Sequence, residues 1–185
     1  MNYATVKYCD IANGEGVRVS LFVSGCTHHC RGCFNEEAWP FEYGEPFTGE
    51  TEERLLDLLD HSYIAGLSLL GGEPFEPENQ QGLVPFLYRV RERFPHKNVW
   101  CYTGYTFESD LLGQGGRKKP AGRRDPRSKL TDEMLSMTDI LVDGEYREEL
   151  RNISLQFRGS ENQRIIDVKA SLQSGHTILA ERFMN

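Results

Sequence analysis

The run Val19-Ser20-Leu21-Phe22-Val23-Ser24-Gly25-Cys26-Thr27-His28-His29-Cys30-Arg31-Gly32-Cys33 decides how the rest of the chain is read. An apolar, strand-like segment opens into a polar turn that carries three thiols at a C-x3-C-x2-C spacing. Three cysteines on so short a loop can aim their sulfurs at one centre, which suits a metal site and poorly suits a set of disulfides. Ordinary core cysteines are scattered through apolar sequence, whereas these sit among Gly25, His28, His29 and Gly32. By itself the loop leaves two metal chemistries open. With His28 or His29 the three thiolates make a Cys3His zinc site, a common structural arrangement. Alternatively, Cys26, Cys30 and Cys33 hold a 4Fe–4S cube, and one iron is left without a protein ligand, free to take a small chelating molecule.

A second feature follows about 40 residues on. In Gly66-Leu67-Ser68-Leu69-Leu70-Gly71-Gly72-Glu73-Pro74 an apolar strand stops at two glycines, a carboxylate and a proline. Glycines let a strand end approach a ligand closely, and Glu73 can make a charge-assisted bond to an ammonium group. Alone, Gly-Gly-Glu-Pro reads as a simple turn. Paired in this order with the cysteine loop, it resembles the radical S-adenosylmethionine enzymes. That resemblance implies a 4Fe–4S cluster on Cys26, Cys30 and Cys33. It also implies that Gly71, Gly72 and Glu73 hold the amino group of S-adenosylmethionine, and that Gly32, Cys33 and Phe34, with Asn35, line the cofactor.

The chain has 185 residues, enough for one core and short for two, so a single domain over residues 1–185 is expected. Its 21 basic and 28 acidic side chains give a net charge of −7, which argues against a nucleic-acid grip. No stretch reaches the roughly 18 apolar residues of a membrane span, and Met1 to Thr5 does not read as a signal peptide. A cytoplasmic location is therefore expected, where thiols stay reduced and clustered cysteines bind metal. Cys9 and Cys101 lie in or near apolar runs and are expected in the core.

Along the chain, residues 3–9 and 17–23 read as strands joined through Asp10–Gly16, where Asn13-Gly14 fits a type I′ hairpin. Residues 36–49 are rich in aromatic residues and proline, and read as a loop packed over the mouth of the site or onto the core. Thr51-Glu52-Glu53 is expected to cap a helix facing inward through Leu55, Leu56, Leu58 and Leu59. Asn79 to Phe94 reads as a second helix and Asn98 to Tyr102 as another strand. This alternation predicts βα units in a mainly parallel sheet. Residues 113–129 carry seven basic groups against Asp125 alone, which predicts a mobile, solvated insert. After a helix near Thr131 to Met137, Asp139 to Gly144 reads as a strand ending in Asp143, expected either at a ligand or in a turn. The chain after Val168 is expected to be an accessory tail.

Further segments narrow the resemblance. Cys-x3-Cys-x-Gly-Cys-x-Asn, at Cys26, Cys30, Gly32, Cys33 and Asn35, is similar to the activating proteins of anaerobic ribonucleoside-triphosphate reductases. So are the stretches Asp10–Gly16, Leu21–Gly25, Trp100–Tyr105, Leu141–Gly144 and Arg158–Gln163. The family resemblance implies that a reduced cluster passes one electron to S-adenosylmethionine, giving methionine and a 5′-deoxyadenosyl radical. That radical takes a hydrogen from a glycine of the large reductase subunit, with a low-potential donor such as a flavodoxin supplying the electron. No side-chain acid or base is needed, so no catalytic residue is expected. A full (βα)8 barrel takes about 250 residues. The expected fold is therefore α/β, a partial open (βα) barrel of about five or six mainly parallel strands. Two other readings stay open. One is another short radical enzyme, such as a pyruvate formate-lyase activase or an enzyme of modified-base synthesis. The other is a zinc-stabilised binding module.

Overall fold

The computed structural model describes residues 1–114 and 124–184. The middle of the expected basic insert, 115–123, lies outside the described residues. Among the described residues, seven strands form one open sheet: β1 (Asn2–Asp10), β2 (Val17–Val23), β3 (Glu45–Pro46), β4 (Ile64–Gly71), β5 (Asn98–Tyr102), β6 (Ile140–Asp143) and β7 (Arg164–Asp167), in spatial order β3-β1-β2-β4-β5-β6-β7. β2, β4, β5 and β6 run parallel, while β1 on β2, β3 on β1 and β7 on β6 run antiparallel. The fold is thus mixed α/β, and its parallel part is confined to the four central strands. The expectation of a mainly parallel sheet of five or six strands overstated the parallel share. At the start of the chain the short 11–16 connection folds β2 back on β1, which cannot be parallel, and β3 and β7 add antiparallel strands at the two edges.

Helices α1 (Gly49–Leu59), α2 (Pro77–Arg93) and α3 (Thr131–Ser136) link the parallel strands, and α4 (Val168–Ser174) follows β7. The period-2 rule sorts the central strands. Val19, Leu21 and Val23 of β2, Leu67 and Leu69 of β4, and Val99 and Cys101 of β5 pack under the helices with Leu55, Leu59, Leu83 and Leu87. Burying each such aliphatic side chain contributes roughly 1.5–3 kcal/mol. The alternate residues face the other way. There Trp100, Ile140, Val142 and Ile165 pack with Phe183 of the tail, alongside the buried polar residues Arg18, Ser20 and Ser68. One face of the sheet is a hydrocarbon core, and the other carries polar and aromatic groups beside the site.

Three local expectations are corrected. Thr48, not Thr51, caps α1: its hydroxyl accepts from Thr51 N while the Thr51 side chain answers Thr48 N, so both threonines serve one capping box. Cys9 is exposed rather than in the core, because β1 shifts register between Lys7 and Asp10 and Cys9 takes φ 58° there. The β1–β2 connection is not a two-residue I′ turn. Gly14 and Gly16 take positive φ but Asn13 does not, and Asn13 O accepts from Ser68 Oγ on the polar and aromatic face of the sheet. Among the described residues, no helix is long and apolar enough to cross a membrane.

Candidate functional site

The carboxyl ends of β2, β4, β5 and β6 meet at one edge of the sheet around a cavity of about 670 Å³. Ligands of open α/β sheets bind at this edge, where the loops diverge and main-chain groups are left unpaired. The volume falls within the range of small-molecule pockets. β2 leads into Cys26, Cys30, Gly32, Cys33 and Phe34, and β4 into Gly71, Gly72 and Glu73. These eight residues all border this one cavity, while Asn35, expected beside them, is not among its lining residues.

The cysteine loop is held from behind. Gly25 N donates to Ala38 O at 2.8 Å and Cys26 N to Trp39 O at 3.0 Å, while Trp39 stacks on His29 with ring centroids 4.7 Å apart. The 36–49 segment therefore does both jobs foreseen for it, since Trp39 lines the cavity while Phe47 packs on Tyr3 and Phe86. All the cysteines are free thiols. Burial, helped by the Glu73 carboxylate, pushes the Cys26 thiol well up, and burial followed by Glu145 pushes Cys30 up to about 12. A bound cationic centre reverses that bias, because coordination stabilises the thiolate.

Among the described residues, no three His, Cys, Asp or Glu side chains close around the position of a single ion. A tetrahedral zinc draws its sulfurs to within roughly 4 Å of one another. A 4Fe–4S cube instead takes each thiolate at a separate iron. Three free thiols border the one cavity. Spare polar capacity remains beside them: both ring nitrogens of His28 and the Asn35 amide nitrogen are buried without a hydrogen-bond partner.

Glu73 is 1% exposed, and its carboxylate is already in use. Oε1 accepts from Phe75 N and from Thr103 Oγ1, and Oε2 accepts from Gly104 N at 2.8 Å. Gly72 sits where any Cβ would meet Gly25 O at 2.5 Å, so this turn can approach the cysteine loop only as glycine.

Residues 12–166 match a family model described as a 4Fe-4S single cluster domain. The chain is 40% identical to a protein of Pasteurella multocida over 88% of its length and 95% of the relative's. It is 38% identical to one of Haemophilus influenzae and 34% to one of Escherichia coli, each over 88% of this chain and 96% of the relative. All three are named anaerobic ribonucleoside-triphosphate reductase-activating protein. The chain belongs to this family. The family match spans the site of this activating-protein fold, from the Asn13 loop through the cysteine loop and Gly-Gly-Glu turn to β7, and leaves the tail outside.

Sequence reasoning missed one wall of the cavity. Tyr102, Thr103 and Gly104 at the end of β5 line it, as do Tyr146, Arg151, Ile153 and Arg158 of the segment after β6. Trp100–Tyr105 and Arg158–Gln163 carried the family resemblance, which was the available signal, but no role was attached to them. Asp143, weighed as a ligand contact or a turn former, has its carboxylate engaged within the protein. It is 1% exposed, and its carboxylate accepts from Phe107 N and from Arg164 Nε, both at 2.9 Å.

Proposed function

We propose that this chain is a cytoplasmic radical S-adenosylmethionine activase, built on a single domain with a partial barrel, that installs a glycyl radical on an anaerobic ribonucleoside-triphosphate reductase. The observation that carries the reading is the meeting, across one cavity, of three free thiols and the Gly71–Glu73 turn. In this reading Cys26, Cys30 and Cys33 hold the cluster and leave one iron for the ligand. The bound cluster would supply one-electron chemistry, drawn from a low-potential donor such as a flavodoxin, for cleaving S-adenosylmethionine to methionine and a 5′-deoxyadenosyl radical able to take a glycine hydrogen.

The chain's own residues have simpler tasks. Gly71, Gly72 and Glu73 face the ammonium of the methionine moiety. Gly32 gives the loop its positive-φ bend, at φ 70°, just before Cys33. Phe34 guards the mouth, where it is 81% exposed. Apolar and aromatic groups exclude water, and the cofactor carries the hard chemistry.

The test is to mix the reconstituted, reduced protein with S-adenosylmethionine and the reductase of its own source, and to record the electron paramagnetic resonance spectrum. A glycyl doublet on the reductase is expected. 5′-Deoxyadenosine without any protein radical would instead mark a radical enzyme acting on a small molecule.

A further inference from the structure

The first turn of α2 reaches behind the site, and none of its side chains borders the cavity. Glu76 stands at the N-cap position of α2 yet gives its own helix no side-chain bond. It is fully buried, and its Oε1 accepts from Thr27 N at 2.8 Å and Thr27 Oγ1 at 2.6 Å, on the residue after Cys26. Its Oε2 is buried without a partner. One turn further on, the amide of Asn79, also fully buried, donates from Nδ2 to Ser24 O and to Glu73 O, each at 2.9 Å. A single side chain thus bonds the start of the cysteine loop to the end of the Gly-Gly-Glu turn. Two main-chain bonds run alongside, Gly72 N to Val23 O at 2.7 Å and Glu73 N to Gly25 O at 2.8 Å.

Such an arrangement is costly to keep without a return. A carboxylate taken wholly out of water and only half satisfied is a burden on stability, and helix capping does not need it. What it secures is the shape of the loop that bears Cys26 and the gap between that loop and Gly71–Glu73.

We propose that Glu76 and Asn79 are positioning residues. Glu76 sets the backbone of the cysteine loop for cluster uptake, and Asn79 fixes the loop against the Gly71–Glu73 turn, so that S-adenosylmethionine reaches cluster and turn at once. The proposal rests on the cluster-and-ligand reading of the cavity. Outer-shell partners of this kind typically change metal affinity or activity by about 10–100-fold.

The test uses Glu76→Ala, Glu76→Gln, Thr27→Val and Asn79→Ala in the full chain. Each is read by thermal unfolding without metal, by iron and sulfide retained after anaerobic reconstitution, and by equilibrium dialysis of the loaded protein against S-adenosylmethionine. Glu76→Ala is expected to lose most of its cluster. Glu76→Gln, which keeps an acceptor oxygen for Thr27, should restore uptake. Thr27→Val removes the hydroxyl bond from the half-buried loop side, leaving only the Thr27 N bond to Glu76, and carries the test should Glu76→Ala fail to fold. Asn79→Ala should load its cluster and bind S-adenosylmethionine at least about tenfold more weakly.

Wild-type uptake in both Glu76→Ala and Thr27→Val, or wild-type affinity in Asn79→Ala, overturns the proposal. So does a loss confined to thermal stability, which marks plain scaffolding. A wild-type protein that takes up no cluster overturns the underlying reading of the site, and that outcome is distinct from failure of the variants alone.

Discussion

His28 Nε2 stands 3.3 Å from Glu73 Oε2, which ties the cysteine loop to the Gly-Gly-Glu turn through two almost fully buried side chains. The contact lacks hydrogen-bond alignment, and the Glu73 oxygens are instead occupied by Phe75 N, Thr103 Oγ1 and Gly104 N. His28 is packed from the other side by Tyr105, with ring centroids 4.4 Å apart, and by the close backbone of Gly104. Glu73→Ala strands two buried donors, Phe75 N and Thr103 Oγ1, and the half-buried Gly104 N together. It should cost about 3 kcal/mol, at roughly 1 kcal/mol or more per orphaned group, in urea unfolding of the metal-free protein. Glu73→Gln keeps an acceptor and should cost clearly less.

Phe34 is 81% exposed at the mouth of the cavity, so nothing of the fold depends on it. Phe34→Ala should leave thermal stability within about 0.5 kcal/mol of wild type. If the ring guards the mouth, the same variant should slow glycyl-radical formation on the reductase. Measuring both on one preparation separates a functional surface residue from a structural one.

Gly14 takes φ +126°, and a Cβ there would lie 2.9 Å from Arg18 Cδ and Nε and from Trp100 Cδ2. Arg18 is itself fully buried and donates to Ser68 Oγ, Leu67 O and Asn98 Oδ1, so it has little room to yield. Gly14→Ala combines backbone strain with overpacking and should lower stability by about 2 kcal/mol, read as an earlier thermal transition.

Paired hydrogen bonds from Arg164 hold the Glu108 carboxyl down to about 2, against its ordinary 4.5, with Thr177 adding a further bond. A carboxyl whose folded value lies below its unfolded one adds stability above the unfolded value. That stability is lost as pH falls through the folded value. The urea midpoint of the metal-free protein should therefore decline between about pH 4.5 and pH 2. Glu108→Gln should flatten part of that slope. At pH 7 the variant should cost about 1 kcal/mol, since the pair is partly exposed and solvent screens it.

Much of the site was legible because its residues are close in sequence. The cysteine loop and the Gly-Gly-Glu turn each declare themselves within nine residues or fewer. β2 and β5 kept the bounds read for them, Val17–Val23 and Asn98–Tyr102, since both are apolar runs ended by turn formers. What escaped depends on distance along the chain. Arg151 and Ile153 reach the cavity only because β7 pairs antiparallel with β6 and the segment between them folds over the site. No local pattern marks that path. Asp143 read as either a ligand contact or a turn former because it ends a parallel strand before a glycine, and Arg164, brought beside it by β7, claims its carboxylate. Cys9 lies in strand-like sequence, and only a register shift of β1 turns it outward.

The most direct measurement is the composition and reactivity of the centre itself, in anaerobically reconstituted wild type beside the Cys26→Ala, Cys30→Ala and Cys33→Ala variants. A 4Fe–4S centre with near-equal iron and sulfide is predicted, lost in each variant, and on reduction with S-adenosylmethionine it should yield 5′-deoxyadenosine and methionine. One zinc per chain with no sulfide, or a full cluster with a fourth protein ligand that leaves S-adenosylmethionine intact, would contradict it.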